Sequence, residues 1–297
     1  MRPADLGLRF DTMVPLRGVG RALRAARLIH PFPTLLNVAA TAALALIAER
    51  GPPPPALFAT MLLVMFCAQS AIGAANDLFD RELDVRTKPW KPLVAGLIPP
   101  GAAAVLATCF AAAAIALAAT LNAAGFALAL VGLACGLTYD VRLKRSPLSA
   151  IPFMVAIPVL PLWVWATLGR WQAALWLLLP LGGLIGLALH LANTLPDIDD
   201  DAAHGVRGLA HRLGVHRSML LAWMSFAGAI VLSASLARPL GYNLRPYVPA
   251  ASFGAACLAV AVAIHLARRD QFALQSGFAL LSVGAAVLAA GWLAAVS

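Results

Sequence analysis

The chain has 297 residues, of which 61% are hydrophobic and only 12% are charged. A water-soluble domain carries about 25% charged residues, so the composition excludes an ordinary soluble protein. The mean hydropathy is +0.84, and long apolar stretches recur along the sequence. Because one crossing of the hydrocarbon layer takes about 20 residues, this pattern indicates a polytopic membrane protein. The four cysteines form no Cys-x-x-Cys pair, which favours packing roles over a zinc site or disulfides.

Residues 1–27 contain six arginines and lack the apolar run of a cleavable signal peptide. We expect them to form a basic cytoplasmic segment that leads into one transmembrane domain over residues 28–297. Hydropathy predicts nine membrane-spanning helices in a single bundle: 31–49, 55–77, 101–120, 123–140, 148–168, 172–196, 217–237, 246–267 and 272–296. The predicted fold is therefore all-α, with a polar cap over its cytoplasmic mouth.

The net charge of +9 follows this predicted topology. With the N-terminus inside, eighteen of the 22 Lys and Arg residues (22 minus 4) fall on the inner side. The four on the outer side are Arg50, Arg170, Arg238 and Arg245. This distribution obeys the positive-inside rule, so the charge indicates orientation rather than nucleic-acid binding. We expect an integral protein of a bacterial plasma membrane, with its N-terminus and active site facing the cytoplasm.

A row of acidic and amide side chains ends the second predicted helix. Asn76, Asp80 and Asp84 are four residues apart, and each step of four advances a helical side chain by only about 40°. Asp77 projects at the edge of the same face. A carboxylate inside the membrane costs about 2.5–3.5 kcal/mol, and helix C-termini disfavour anions. The row therefore predicts a bound cation rather than a passive helix end in water.

The same spacing returns 117 residues later (193 minus 76), at Asn193, Asp197 and Asp201. Hard dications prefer carboxylate and amide oxygens, and Mg²⁺ usually completes its coordination shell with substrate phosphates and water. We therefore predict that the two rows face each other and bind Mg²⁺ with a phosphorylated substrate. The predicted metal ligands are Asn76, Asp80, Asp84, Asn193, Asp197 and Asp201.

Basic residues follow both acidic rows. Lys88 and Lys91 lie in a loop that its prolines stiffen, and Arg207 lies in the loop after the second row. Their positive charge suits a diphosphate leaving group. A third inner turn carries Lys144, and Asp140 just before it could orient an acceptor hydroxyl or pair with a neighbouring arginine. Two histidines within the spans, at 190 and 265, are interpreted as residues that pack or form a buried hydrogen bond.

These motifs resemble those of the UbiA superfamily of intramembrane prenyltransferases. Asn76-Asp77-x-x-Asp80-x-x-x-Asp84 is similar to the family's first aspartate-rich motif, and Asp197-x-x-x-Asp201 to its second. The lysine loop and the turn from residue 139 to 145 also resemble family segments. In contrast, Trp90 and Pro196 stand where family members often have an acidic and a basic residue.

The resemblance implies a helical bundle that binds a polyprenyl diphosphate through Mg²⁺, with the prenyl tail in an apolar tunnel open to lipid. It implies catalytic roles for Asp80, Asp84, Asp197 and Asp201. It also implies that the following residues bind substrate: Asn76, Asp77, Lys88, Lys91, Tyr139, Lys144, Asn193 and Arg207.

The expected reaction is Mg²⁺-dependent prenyl transfer to a small acceptor, expected to be aromatic, through an allylic cation. The expected partners are these substrates and the bilayer, without nucleic acid or an obligate protein partner. The first alternative is a membrane terpene cyclase, in which the substrate's own double bonds capture the cation. A cation transporter is less favoured because both acidic rows lie on one side of the membrane. A lipid phosphotransferase would need an Asp-Gly…Ala-Arg motif that the sequence lacks. Prenyl length, acceptor and oligomeric state are left open.

Overall fold

The computed structural model of the protein describes residues 24–203 and 205–296. Most of the basic segment predicted at 1–27 lies outside these ranges. The described residues form helices and turns without a strand. Twelve α-helices, nine of them long, are assigned here in chain order: α1 (Pro31–Glu49), α2 (Pro55–Phe79), α3 (Arg81–Thr87), α4 (Pro100–Ala118), α5 (Ala123–Val141), α6 (Ile151–Thr167), α7 (Leu178–Thr194), α8 (Ile198–Ala203), α9 (Leu209–Leu213), α10 (Val215–Ser235), α11 (Leu244–Arg268) and α12 (Gln271–Val296).

The long helices have the length and composition of membrane spans. Eight segments of the described chain are apolar over at least 18 residues, and one of them, Ala173–Asp197, includes α7 with a 3₁₀ turn at each end. The ninth, α6, has 17 residues. Large apolar side chains point outward, among them Phe32 (79% exposed) and Val231 (67%), as expected for a lipid-facing surface. The predicted all-α membrane bundle is confirmed, with α6 shorter than the predicted 148–168.

Proline and asparagine mark where several helices begin. Pro31, Pro55 and Pro100 occupy first-turn positions, where the missing N–H of proline costs nothing. Asn122 caps α5 by accepting a hydrogen bond from the backbone N–H of Gly125 at 2.7 Å. Its amide also donates to Ala166 O at 2.8 Å. The start of α5 is thereby fastened to the end of α6.

Glycines let neighbouring helices approach closely, as helix packing in lipid favours. A Cβ added at Gly186 of α7 would lie 2.4 Å from the backbone oxygen of Phe153 in α6. Consecutive long helices alternate in direction, so α2, α5 and α7 all end on the same side of the bundle. The opposite side carries the exposed ion pair between Arg170 and Glu49, at 2.8 Å. The polar residues of interest therefore meet at one mouth of the bundle.

Candidate active site

The first acidic row keeps helical register across the junction between α2 and α3. The backbone N–H of Asp80 donates to Asn76 O at 2.9 Å, and that of Asp84 donates to Asp80 O at 2.8 Å. Asp80 is the residue between the two helices, with φ −93° and ψ 4°. The backbone departs from α-helical angles there, but the four-residue hydrogen-bond spacing continues. Asp77, Asp80 and Asp84 are all buried, as the sequence predicts for side chains on one inward face.

Lys91 joins two of these acids. Its Nζ donates to Asp84 Oδ2 at 2.6 Å and lies 2.8 Å from Asp77 Oδ1. The same Oδ1 accepts a hydrogen bond from Nε2 of His30, also at 2.8 Å. The loop that follows α3 thus folds back under the acids, and the start of α1 is fastened to the end of α2. Sequence reasoning named Lys91 but missed His30, whose position beside a first-turn proline at the same membrane face was the available signal.

A second lysine reaches the row from another turn of the chain. Lys144, in the 3₁₀ turn Leu143–Arg145, donates to Asp80 Oδ2 at 2.5 Å. The amide of Asn76 donates to the same oxygen at 3.1 Å and to Asp140 Oδ1 at 3.0 Å. Asp140 is therefore a hydrogen-bond partner of Asn76, a contact that was not among the two roles suggested for it by the sequence. Asp140, Asn76, Asp80 and Lys144 form one chain of hydrogen bonds between α5 and α2.

The charge states of the loop residues follow from these contacts. Burial raises the pKa of Asp84, although Lys91 acts in the opposite direction. Burial also acts to lower the pKa of Lys91, but its hydrogen bonds to Asp77 and Asp84 outweigh this and raise the pKa. Lys91 is therefore a stable cation inside the cluster.

The second acidic row does not lie on one continuous α-helix. Pro196 follows the end of α7, and the 3₁₀ turn Leu195–Asp197 separates α7 from α8, because proline cannot supply the backbone N–H of a continuing helix. Asn193 and Asp197 are exposed, and Asp201 is half-buried. The shared helical face predicted for these three residues is therefore interrupted by the 3₁₀ turn.

Asp201 nevertheless belongs to the same mouth as the first row. Burial raises its pKa, and Lys144, His211 and Lys88 oppose that shift through their charges. Since Lys144 touches Asp80 directly, one ammonium group acts on an acid of each row. Arg207 is exposed, and within residues 24–203 and 205–296 it forms no ion pair.

The donor atoms at this mouth suit a hard metal ion in their chemistry. In the described part of the chain, no three His, Cys, Asp or Glu side chains are grouped closely enough to hold a metal as they stand. Lysine nitrogens lie against the acid oxygens instead. However, Oδ2 of Asp77 and Oδ2 of Asp140 are buried without a hydrogen-bond partner. Apart from the lysines and His30, the polar groups around them are carboxylates and an amide, whose oxygens are the ligands that Mg²⁺ prefers.

An apolar cavity of about 140 Å³ lies between α1, α2, α5 and α6. Ile72, four residues before Asn76, lines it and packs against Gly136, where an added Cβ would be 2.3 Å from Ile72 Cδ1. Trp163 lines the cavity deeper in the membrane, and Gln69 is one of its few polar residues. The cavity therefore begins about one helical turn below the acids.

Tyr139 lies beside this region on α5. Its ring packs edge-on against Phe153 of α6, with ring centroids 5.2 Å apart, and against His190 of α7 at 6.1 Å. Tyr139 directly precedes Asp140, the hydrogen-bond partner of Asn76, and its contact with His190 brings it against α7, the helix that leads to the second row. It thus lies between the helices that lead to the two acidic rows.

Comparison with known proteins gives the family context of this geometry. The UbiA prenyltransferase family matches residues 36–283. The digeranylgeranylglyceryl phosphate synthase of Methanothrix thermoacetophila is 29% identical over 202 residues, which cover 67% of this chain and 72% of that protein. The 4-hydroxybenzoate octaprenyltransferase of Ralstonia nicotianae is 31% identical over 195 residues, which cover 64% and 67%.

Solved structures share the fold. A UbiA homologue from Archaeoglobus fulgidus bound to GPP and Mg²⁺ superposes with a TM-score of 0.69 at 18% identity, covering 90% of this chain and 99% of that one. The apo UbiA homologue from Aeropyrum pernix K1 also gives 0.69, at 20% identity, covering 87% and 96%. At these identities the likeness establishes the fold alone.

Proposed function

Because the chain belongs to the UbiA prenyltransferase family and is a membrane prenyltransferase, we propose that it transfers the prenyl group of a prenyl diphosphate to an electron-rich acceptor. The reaction takes place at the mouth formed by α2, α5 and α7. One observation carries this proposal: buried carboxylates and lysines form a single cluster directly above an apolar cavity. A diphosphate with an apolar tail matches that division of polar and apolar space.

The diphosphate lies against the basic groups of the mouth. Lys91 and Lys144 neutralise the acids when the substrate is absent, and their ammonium groups bind phosphate oxygens when it is present. Lys88, in the same loop as Lys91, and the exposed Arg207 add further positive charge. A unit charge 4 Å from another gains about 4 kcal/mol at an effective dielectric of 20. A few such contacts therefore stabilise the charge that develops on the leaving diphosphate as the C–O bond breaks.

The acids supply a binding site for Mg²⁺. Its ligands are Asn76, Asp80, Asp84, Asn193, Asp197 and Asp201. When bound, the metal supplies Lewis-acid neutralisation of the diphosphate. Asp77 positions the cluster by joining His30 and Lys91, and Asp140 orients the amide of Asn76. The Oδ2 atoms of these two acids have no hydrogen-bond partner, and leaving a buried carboxylate oxygen unpaired costs free energy. This supports the binding of a cation near them.

The prenyl chain enters the cavity between α1, α2, α5 and α6. Its apolar walls exclude the water that would otherwise capture the allylic cation. The cavity volume of about 140 Å³ holds the first isoprene units, and a longer chain continues toward the lipid. The acceptor is an electron-rich aromatic ring, the class named for the Ralstonia relative. Tyr139, between the helices that lead to the acidic rows, forms part of the wall against which this acceptor reacts.

The mouth faces the cytoplasm in this proposal. The positive-inside distribution supports it, because the connections on the side of the acids carry most of the lysines and arginines. Labelling of single introduced cysteines at Glu82 and at Arg170 with a membrane-impermeant reagent, in intact cells, tests the orientation. We expect labelling at position 170 and protection at position 82; the reverse pattern would place the site outside.

The reaction itself is tested by Asp80→Asn, which keeps the size of the side chain and removes its charge. We expect this variant to lose turnover of a radiolabelled prenyl diphosphate by at least about 100-fold, the scale of removing one electrostatic group from a transition state. Glu82→Gln is the matched control, because Glu82 lies two residues further on and is exposed. Full turnover by Asp80→Asn would refute the assignment of Asp80.

A further inference from the structure

A buried contact joins α7 to two of the loops that surround the mouth. His190 of α7 is 2% exposed, and its Nε2 shares a hydrogen bond with Oγ of Ser149 at 2.9 Å. Ser149 is 1% exposed and lies just before α6. The same hydroxyl oxygen accepts a hydrogen bond from the backbone N–H of Leu209, also at 2.9 Å. One serine hydroxyl therefore connects three separate parts of the chain.

Both loops at this contact carry groups assigned to the diphosphate. On one side, Ser149 N donates to Ser146 O at 3.1 Å and Ser146 N donates to Leu143 O at 3.0 Å, which ties the serine to the turn that carries Lys144. On the other side, the backbone N–H of Val206 donates to Asp201 O at 3.0 Å. Residues 206–209 thus link Ser149 to the second acidic row.

Close packing also brings the two loops together at the serine. Gly208 lies so near the first loop that an added Cβ would be 2.9 Å from the backbone oxygen of Lys144 and 3.0 Å from Ser149 Oγ. His190 is itself fixed by Phe153, with ring centroids 5.0 Å apart, and by Tyr139 at 6.1 Å. A ring held by packing on one side and by a hydrogen bond on the other is a defined anchor.

We propose that His190 and Ser149 are positioning residues for the prenyl transfer reaction, which set the distance between Lys144 and the second acidic row. This rests on the proposed function. Neither side chain touches the acids of the first row or is assigned to the substrate. They act by fixing the two loops against α7. Lys144 and the metal ligand Asp201 are thereby held at the distance at which both serve one diphosphate. Without the anchor the two loops separate, and the substrate site loses its geometry while the helices remain.

Four single variants, and one double variant made from two of them, test this proposal in the full-length protein in nanodiscs. Ser149→Ala removes both hydrogen bonds, and His190→Leu removes the imidazole partner. His190→Gln is the conservative replacement, because its terminal amide reaches about as far as Nε2. Ser233→Ala is the control: it breaks a buried hydrogen bond of 3.0 Å to Tyr247, at the end of the bundle away from the acids.

Kinetics distinguish positioning from folding. We expect Ser149→Ala and His190→Leu to lower kcat/KM for geranyl diphosphate by about 10- to 100-fold, since a misplacement of 1 Å can cost that much. His190→Gln should recover to within about threefold of the wild type, and the His190→Leu/Ser149→Ala double variant should be no worse than the poorer single one, because both act on one network. Ser233→Ala should keep its kcat/KM. Three results would overturn the proposal. They are an equal kcat/KM in Ser149→Ala and Ser233→Ala, no recovery of kcat/KM by His190→Gln, and a double variant whose loss is the product of the two single losses.

Hydrogen–deuterium exchange gives a readout that needs no turnover. We expect Ser149→Ala to speed exchange in residues 205–210, because the N–H of Leu209 loses its acceptor. His190→Leu should do so to a smaller extent, because the Ser149 hydroxyl remains but loses the imidazole that orients it, while Ser233→Ala leaves that segment unchanged. Unchanged exchange in both site variants would contradict the anchor even if the enzyme is active. If the variants show faster exchange but the wild-type protein consumes no prenyl diphosphate, the proposed function is refuted and the anchor is retained.

Discussion

Replacing Lys91 by methionine removes the charge on which two buried carboxylates depend. Lys91 Nζ lies 2.6 Å from Asp84 Oδ2 and 2.8 Å from Asp77 Oδ1, and the two acids are 2% and 1% exposed. Methionine keeps an unbranched apolar stem of similar length. Breaking a buried ion pair by removing one partner costs about 3–5 kcal/mol. Because His30 still donates to Asp77, we expect the lower end, about 3 kcal/mol.

The assay is the thermal unfolding midpoint in nanodiscs, measured with and without Mg²⁺. Without metal, the unfolding midpoint of Lys91→Met should lie well below that of the wild type. Saturating Mg²⁺ should raise the midpoint of Lys91→Met more than that of the wild type, because the ion replaces the missing charge. A ligand stabilises the folded state that binds it. Lys88→Met is the matched control, since the Lys88 ammonium forms no ion pair within 4 Å in the described residues. An unchanged midpoint in Lys91→Met, or an equal Mg²⁺ effect in both proteins, would refute this reasoning.

Three further outcomes are expected. Asn76→Asp places a third carboxylate about 3 Å from Asp80 and Asp140. Because like charges at this distance repel strongly, steady-state kinetics should show at least about a tenfold loss of kcat. An unchanged kcat would count against the Asn76 contacts. Gly186→Ala pushes a methyl group into the backbone of α6 and should lower the thermal unfolding midpoint. Gly183→Ala is its control, because an added Cβ there would be 3.8 Å from the nearest atom and should leave the midpoint unchanged. Equal midpoints in the two variants would contradict the close packing. When the protein is incubated with prenyl diphosphate and no acceptor, mass spectrometry should show no cyclised product of the prenyl group. A cyclic hydrocarbon would favour the cyclase.

Most of the fold could be predicted from the sequence, because a membrane span must satisfy its backbone internally and therefore reads as a long apolar helix. The span over 31–49 agrees with α1 to the residue. Deviations arise where proline or polar residues act locally. The predicted span at 148–168 contains turn residues before Ile151, and the end of the second predicted helix, with its acidic row, is divided between α2 and the short helix α3.

The candidate site was predictable where helical register holds. Asn76, Asp80 and Asp84 share a face because the four-residue backbone hydrogen bonds continue past the end of α2. The second row departs from helical register, because Pro196 introduces a 3₁₀ turn between Asn193 and Asp201 that residue spacing alone does not reveal. Contacts between distant segments, such as His30 with Asp77 or His190 with Ser149, depend on tertiary packing that no local pattern encodes.

Binding of one metal–diphosphate unit by both acidic rows is decisive for the proposed function. It can be examined in a structure with Mn²⁺ and a non-hydrolysable prenyl thiodiphosphate, in which anomalous scattering locates the metal. We expect metal within coordination distance, about 2.0–2.2 Å for such hard cations, of an oxygen from Asp80 or Asp84 and of one from Asp197 or Asp201, joined through one diphosphate. Metal bound to a single row, with the other row facing only solvent, would contradict it.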